Sequence, residues 1–553
     1  MKKIACLCAF IAAFGLIAQY GCCGIDSEEI TVNNVKNAEK IIGLSFEPDE
    51  RDSMLTDLSD NLESYAEIRK IEIDNSVPPS LWFNPLPRNF EINYKQEKVK
   101  FNRPKNVVMP ENIKDLAFYS VGELAELVRT KKVTSIQLTR LALDRLKKFD
   151  SDLHCVITLT EDLALTQAAQ ADKEIKSGKY RGPLHGIPYG TKDLLAAKGY
   201  KTTWGAMPFK DQVLDYDATV TKKLEAAGAV LVAKLSLGAL AWGDVWFADT
   251  TRNPWNLEQG SSGSSAGPAS TVSAGLVPFA IGSETWGSIV SPSTRCGTTG
   301  LRPTYGAVSR AGAMALSWSM DKLGPICRTV EDCALVYDAI RGTDGIDVSV
   351  VDAAFNYKPE IELKSLKIGY LKKDFDNDSS YMGHNNNALQ VMRDLGAELI
   401  EIELPNLPIM SMSIILSAEA AAAFDELTRF NRDDLLVRQI KNSWPNSFRS
   451  SRFIPAVEYI QANRMRTLMI EEMADLMKNI DVYIAPSFEG DNLLLTNLSG
   501  HPCVVLPHGF DDEGSPTSIT FIGRLYDEAT VLAVAGKFQN ATDFHLKHPE
   551  RFK

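Results

Sequence analysis

From Ser120 onward the chain repeats one pattern: a helical stretch with apolar residues along one face, a glycine or proline, then a short apolar run. SVGELAELVRTKKVTSIQLTRLALDRLKKFD holds two such helices, the second with Thr134 or Ser135 as its N-cap and Leu138, Leu141 and Ala142 on one side. IPYGTKDLL, AAGAVLVAKLS, VPFAIGSE, SLKIGYL, LGAELIEIEL and IDVYIAPS each contain a short apolar strand beside helical chain. Alternation of this kind predicts an α/β protein in which a sheet is covered by helices on both faces. A chain of 553 residues, 44% of them hydrophobic and 24% charged, supplies the core such a sheet needs. Its net charge of −12 is spread over short mixed-sign runs with no basic block, so no nucleic-acid partner is expected.

The first 111 residues differ from this body. Lys2 and Lys3 precede an apolar run that ends in small residues, the order of a secretory signal peptide. Residues 1–24 therefore read as a leader, and the chain is expected to be exported to the periplasm, the medium or the cell surface. Cys22 after Gly21 offers a lipidation site and with it membrane attachment, although Gln19 and Tyr20 fit that cleavage pattern poorly. Residues 25–111 form a charged, proline-punctuated extension with no assigned chemistry: MLTDLSDNLESYAEIRK predicts one helix, and PPSLWFNPLPRNF predicts extended chain. Residues 112–553 remain as the main domain. Its cysteines, Cys155, Cys296, Cys327, Cys333 and Cys503, show no zinc spacing and are expected as buried thiols, with a disulfide as the other option in an oxidising compartment. No metal or cofactor is expected.

Residues 260–270, GSSGSSAGPAS, concentrate serine and glycine just ahead of an apolar strand. A flexible linker would be followed by a change of composition, whereas here a small-residue helix leads directly into VPFAIGSE. A phosphate cradle needs a lysine after its last glycine, and none is present. Gly263, Ser265 and Gly267 spell the nucleophile elbow G-x-S-x-G, but no buried strand precedes them, and no histidine lies in a segment like a hydrolase histidine loop. Ser319 and Lys322 spell S-x-x-K, without the companion motifs of that enzyme class in order.

Five segments in order resemble the amidase signature family over roughly residues 112–545. They are LHGIPYGTKDLL, NPWNLEQGSSGSSAGPASTVSAGL, GSETWGSIVSPSTRCGTTGLRPTYGAVSR, NLSGHPCVVLP and GRLYDEATVL. The resemblance implies the amidase signature fold, with one large mixed β-sheet covered by helices on both faces. It also implies a Ser-Ser-Lys triad: Ser288 as nucleophile, Ser264 as bridging serine and Lys192 as base. Backbone N–H groups of Thr285, Trp286, Gly287 and Ser288 are then the oxyanion donors, while Gly263, Ser265 and Gly267 shape the loop that carries Ser264.

The residue types suit that chemistry. A serine hydroxyl needs a base during attack, and a lysine desolvated on an apolar strand loses enough basicity to act as one. Asp193 follows Lys192 on the same strand, so it should face the opposite side. The chain departs from the commonest family pattern at Trp286, where many members have glycine, and at Val290, where many have arginine. ETWGSIV is closer to the form in members that act on peptide or simple amides. Trp286 is expected either to narrow the acyl pocket or to pack in the core. Pocket walls are expected from residues 205–250, 312–322 and 405–460.

The activity implied is hydrolysis of a small-molecule or peptide carboxamide to a carboxylate and ammonia or an amine, through an acyl-enzyme. Two alternatives stand beside it. One is the A subunit of the glutamine-dependent aminoacyl-tRNA amidotransferase, which uses the same triad with partner subunits. The other is an inactive exported binding lipoprotein.

Overall fold

The computed structural model describes residues 30–553, so the leader expected over residues 1–24 and Cys22 lie outside the described residues. The chain divides into two compact units, one ending at Ile73 and the other running from Asp74 to Lys553. In the first, helices span Val32–Ile42, Pro48–Ser53 and Leu55–Ile68, the last within the segment predicted to be helical. Thr31 caps the first of these helices, and Arg51 pairs with Glu39 at 2.6 Å.

The second unit is built on an eleven-stranded mixed sheet. Its strands and a small ribbon are, in chain order, β1 (Val156–Leu159), β2 (Pro188–Lys192), β3 (Val230–Leu235), β4 (Arg252–Asn253), β5 (Asn256–Gly260) and β6 (Phe279–Glu284). Then follow β7 (Thr299–Arg302), β8 (Lys322–Cys327), β9 (Ile368–Tyr370), β10 (Leu399–Glu401), β11 (Val482–Pro486), β12 (Cys503–Phe510) and β13 (Pro516–Gly523). Across the sheet the order is β1-β3-β2-β6-β8-β7-β12-β13-β11-β9-β10, with β4 and β5 forming the separate ribbon. The strands β3, β2 and β6 run parallel, as do β11, β9 and β10, and the strands between these groups are antiparallel.

Successive side chains of the central strands enter different cores, which is the consequence of a period of two in a sheet covered on both faces. Leu231, Phe279 and Ile281 join one apolar cluster, while Val230, Val232 and Ala280 join another. Helices Ser135–Leu153 and Glu161–Lys176 pack on β3, and helices Val330–Ile340 and Glu528–Asn540 pack on β8 and β13. Thr134 caps the first of these through the N–H of Gln137, as its sequence predicts. The five body cysteines are buried and free.

Two of the parallel strands set up one locus. Thr191 of β2 sits beside Ile281 of β6, so Lys192, the last residue of β2, lies level with the carboxyl half of β6. In open α/β sheets this end of the strands is where ligands bind.

Candidate active site

Lys192 ends β2 with its side chain wholly buried. Its Nζ lies 2.8 Å from Ser264 Oγ, 2.8 Å from Ser283 Oγ and 3.2 Å from Ser265 Oγ. Ser264 Oγ in turn lies 2.9 Å from Ser288 Oγ. Ser264 is fully buried and Ser288 is 8% exposed, so the run of polar atoms leads from a wholly enclosed amine to the least enclosed residue of the three. Burial pushes the Lys192 amine well below its ordinary pKa, against the weaker opposing pull of the Asp321 and Glu284 carboxylates. A lysine amine whose basicity is lowered by burial is the kind of group that can serve as a base toward a hydroxyl.

The loop bearing Ser264 is fixed by close approach. A Cβ at Gly263 would fall 1.8 Å from the Gly243 carbonyl oxygen, and one at Gly267 would fall 2.6 Å from the Ser236 nitrogen. Only glycine fits at either position. The Gly263–Ser264 peptide bond is cis. Ser265 stands at the N-cap of helix Ala266–Ser273, where its Oγ donates to the Ser283 carbonyl at 3.0 Å and accepts from the Ser283 N–H at 3.1 Å. The elbow serine is thus tied to the backbone of β6, and its own N–H donates to the Ser288 carbonyl at 3.1 Å.

Thr285, Trp286, Gly287 and Ser288 form the turn between β6 and helix Val290–Cys296, with Gly287 at φ +82°. Among the described residues none accepts from the N–H of Trp286, Gly287 or Ser288, whereas those of Ile289 and Val290 both donate to Glu284 Oε2, at 2.8 and 2.9 Å. Free N–H groups beside a hydroxyl are the arrangement that stabilises a tetrahedral oxyanion. Glu284 also accepts from Arg302 and Asn497, each at 2.8 Å. Burial alone would raise its carboxyl, but the Arg302 guanidinium and these donors outweigh it and bring the pKa down to about 2. On the other side, Thr285 Oγ1 donates to Asp321 at 2.6 Å, and Asp321 also accepts from the Leu316 and Ser317 N–H groups.

Ser283, Glu284, Arg302, Asn497 and Asp321 were not singled out by the sequence, although Ser283 and Glu284 stand inside the quoted GSETWGSIV. Asp193 faces away from Lys192 and pairs with Lys234 at 2.6 Å, both side chains being wholly buried. Trp286 is 36% exposed and so not a core residue, and it is not among the residues that line the cavity described next.

A cavity of about 700 Å³ is lined by Ser283 and Thr285 at the site and by Leu194 from the chain just after Lys192. Each segment expected to supply walls contributes to it, through Ala241, through Met314 and Trp318, and through Glu419 and Tyr459. A further wall, from Asn75 to Asn84, comes from the extension to which no role was assigned.

The family model described as Amidase matches residues 137–492. The chain belongs to the amidase family. It is accordingly an amidase, an enzyme acting on amide C–N bonds, and its mixed sheet between helices is the amidase signature fold. It is 34% identical over 482 residues to the A subunit of glutamyl-tRNA(Gln) amidotransferase from Marinomonas sp., covering 78% of this chain and 99% of that one. It is 31% identical over 485 residues to the corresponding protein of Carboxydothermus hydrogenoformans, covering 79% of this chain and 100% of that one. Among solved structures, the native peptide amidase from Stenotrophomonas maltophilia matches with a TM-score of 0.70 and 27% identity, over 77% of this chain and 97% of that one. The A subunit of glutamyl-tRNA(Gln) amidotransferase from Thermotoga maritima matches with a TM-score of 0.66 and 27% identity, over 77% and 95%.

These relatives overturn the expected export. Proteins matched over nearly their whole length are named for a reaction on glutamyl-tRNA(Gln), and the leader pattern that suggested export rests on a short run of composition outside the described residues. Lipid attachment at Cys22 has no support from them either. Among the described residues no helix is long and apolar enough to cross a membrane.

Proposed function

We propose that the chain cleaves a carboxamide through an acyl-enzyme on Ser288. The observation that carries this is the continuous run from Lys192 Nζ to Ser264 Oγ at 2.8 Å and on to Ser288 Oγ at 2.9 Å. Ser288 Oγ attacks the carbonyl carbon while its proton passes to Ser264 and that of Ser264 passes to neutral Lys192. The N–H groups of the Thr285–Ser288 turn hold the oxyanion, each worth about 3 kcal/mol of barrier by the usual cost of losing such a donor. Collapse breaks the C–N bond, and the proton returns through Ser264 to the leaving nitrogen, which departs as ammonia or an amine. Water then repeats the sequence on the ester and releases the carboxylate.

At the level of the donor amide, the relatives' names favour the A subunit of the amidotransferase over a free-standing amidase. In that reading the amide is the side chain of glutamine, the ammonia is used on a charged tRNA, and partner subunits complete the enzyme.

Ammonia release by the purified full chain, from glutamine and from a panel of simple and peptide amides, tests both levels. Turnover no greater than that of Ser288→Ala on every amide would reject the acyl-enzyme. Glutamine cleavage that depends on added partner subunits would support the amidotransferase reading, and cleavage of other amides by the chain alone would reject it.

A further inference from the structure

The cavity beside Ser283 and Thr285 is walled on one side by residues 75–84, a stretch that precedes the region resembling the family. This strap is held in place at both ends. Asn75 Nδ2 donates to the carbonyls of Ala315 and Ala423 at 3.0 and 3.2 Å, and its Oδ1 accepts from the Ala315 N–H at 2.7 Å. Phe83 packs edge-on against Tyr305 with ring centroids 5.0 Å apart, and the Arg466 guanidinium lies 3.4 Å from its ring centre. Between these anchors Trp82 lines the cavity while remaining 59% exposed. A large aromatic held on an ordered strap at the edge of a cavity is an unsatisfied apolar surface.

Five of the six ionic groups that line the cavity are already engaged. Arg310 is paired with Asp347 at 2.9 Å, and Asp321 takes the Thr285 hydroxyl and two backbone N–H groups. Glu419 accepts from Ser317, Ser319 and Tyr459. Arg466 donates to the Leu498 carbonyl and to Ser319. Arg464, exposed on its helix, donates to the uncharged Gln461 and forms no ion pair among the described residues. A free amino acid brings an ammonium and a carboxylate; Arg464 can meet the carboxylate, but the ammonium finds no uncommitted carboxylate in the cavity, and burying it without one is costly. The volume, about 700 Å³, falls in the range of roughly 300–1,000 Å³ that accommodates a drug-sized ligand, so an amino-acid-sized amide would leave much of it empty.

We propose that residues 75–84 are a specificity wall and that the pocket takes a carboxamide with a large apolar or aromatic acyl group, in preference to a zwitterionic amino-acid amide. Trp82 supplies the ligand contact, and Asn75 acts as a positioning residue for the strap. The proposal rests on the acyl-enzyme reading above and, at the level of the donor, favours an apolar amide over free glutamine.

The test compares kcat/KM of the full chain on 4-phenylbutyramide, acetamide and L-glutamine. The expected order places 4-phenylbutyramide first. Trp82→Ala should lower the ratio of kcat/KM for 4-phenylbutyramide over acetamide at least tenfold, with the loss in KM rather than kcat, and Asn75→Ala should shift it the same way. A ratio unchanged in both variants, or glutamine preferred to 4-phenylbutyramide, overturns the proposal. Calorimetric binding of the same three amides to Ser288→Ala separates this failure from failure of the acyl-enzyme. Binding of 4-phenylbutyramide that Trp82→Ala abolishes supports the wall even where no amide is turned over, and absence of that binding overturns the wall even where Ser288 is active.

Discussion

At the scale of single residues, three serines, Ser264, Ser265 and Ser283, lie within reach of one lysine, and only their environments separate the roles. Ser265 Oγ lies 3.2 Å from Lys192 Nζ but is committed to the backbone of Ser283, whereas Ser264 bridges onward to Ser288. Labelling by a fluorophosphonate should therefore vanish in Ser288→Ala and persist in Ser265→Ala, with loss of label only in Ser265→Ala as the result that would reverse the assignment. Ser264→Ala should keep the fold and lower kcat by about 10²–10⁴-fold, the usual worth of a proton-transfer group. The state of Lys192 gives a pH signature. Its ordinary pKa is near 10.5 and burial lowers it, so between the lowered folded value and 10.5 the unfolded chain holds a proton that the folded chain lacks. Stability from this group then rises with pH, by at most about 1.4 kcal/mol per unit. Melting temperatures measured at pH 7 and pH 9 should show wild type gaining on Lys192→Met as pH rises. An unchanged difference would mean that Lys192 stays charged in the fold.

At the scale of elements, Glu284 is what turns the end of β6 into a site, since one carboxylate holds the Ile289 and Val290 N–H groups, Arg302 and Asn497. Glu284→Gln leaves Arg302 buried without its ion pair, a change that typically costs about 3–5 kcal/mol, and it loosens the Thr285–Ser288 turn. The variant should melt earlier and turn over more slowly. Because the folded pKa of about 2 lies below the ordinary 4.5, the stability from this carboxylate is present above pH 4.5 and lost as pH falls toward 2. The gap in melting temperature between wild type and variant should accordingly narrow in acid, and a constant gap would assign the loss to packing alone. Glu284 also shows where sequence legibility ends. Lys192, Ser264 and Ser288 each sit in a contiguous motif, but Asn497 lies 213 residues from the carboxylate it serves, and no local pattern links them. The strands divide in the same way. Those near apolar runs such as VLVAKL were legible, whereas β8 and β12 carry Pro325 and Pro507 within the strand, a residue type that argues against a strand when the sequence is taken alone.

At the scale of the whole molecule, the question is where the catalytic part begins. Curated relatives are covered over 98–100% of their length by 77–79% of this chain, so about a fifth of it has no counterpart in them. The resemblance to the family suggested a boundary at residue 112, and we propose that the functional boundary lies earlier. Asp74–Lys553 is one compact unit, and in it residues 74–111 satisfy groups elsewhere. The Lys100 N–H donates to the Tyr357 carbonyl at 3.1 Å, the Ala354 N–H donates to the Asn93 carbonyl at 2.7 Å, and Gln96 bridges to Phe355 at 2.9 Å. Removing residues 1–73 takes away none of these contacts, while removing residues 1–111 takes away all of them together with the strap. We therefore expect the chain 74–553 to melt like the full chain, to label on Ser288 at the same rate and to keep its preference among amides. The chain 112–553 should melt several degrees lower, because buried polar groups lose their partners. In the 112–553 chain, the ratio of kcat/KM for 4-phenylbutyramide over acetamide should collapse at temperatures where it remains folded. Equal melting and equal selectivity in the two truncations would return the boundary to residue 112 and make residues 74–111 dispensable. Loss of Ser288 labelling in the 74–553 chain would instead show that the first unit is needed for the site.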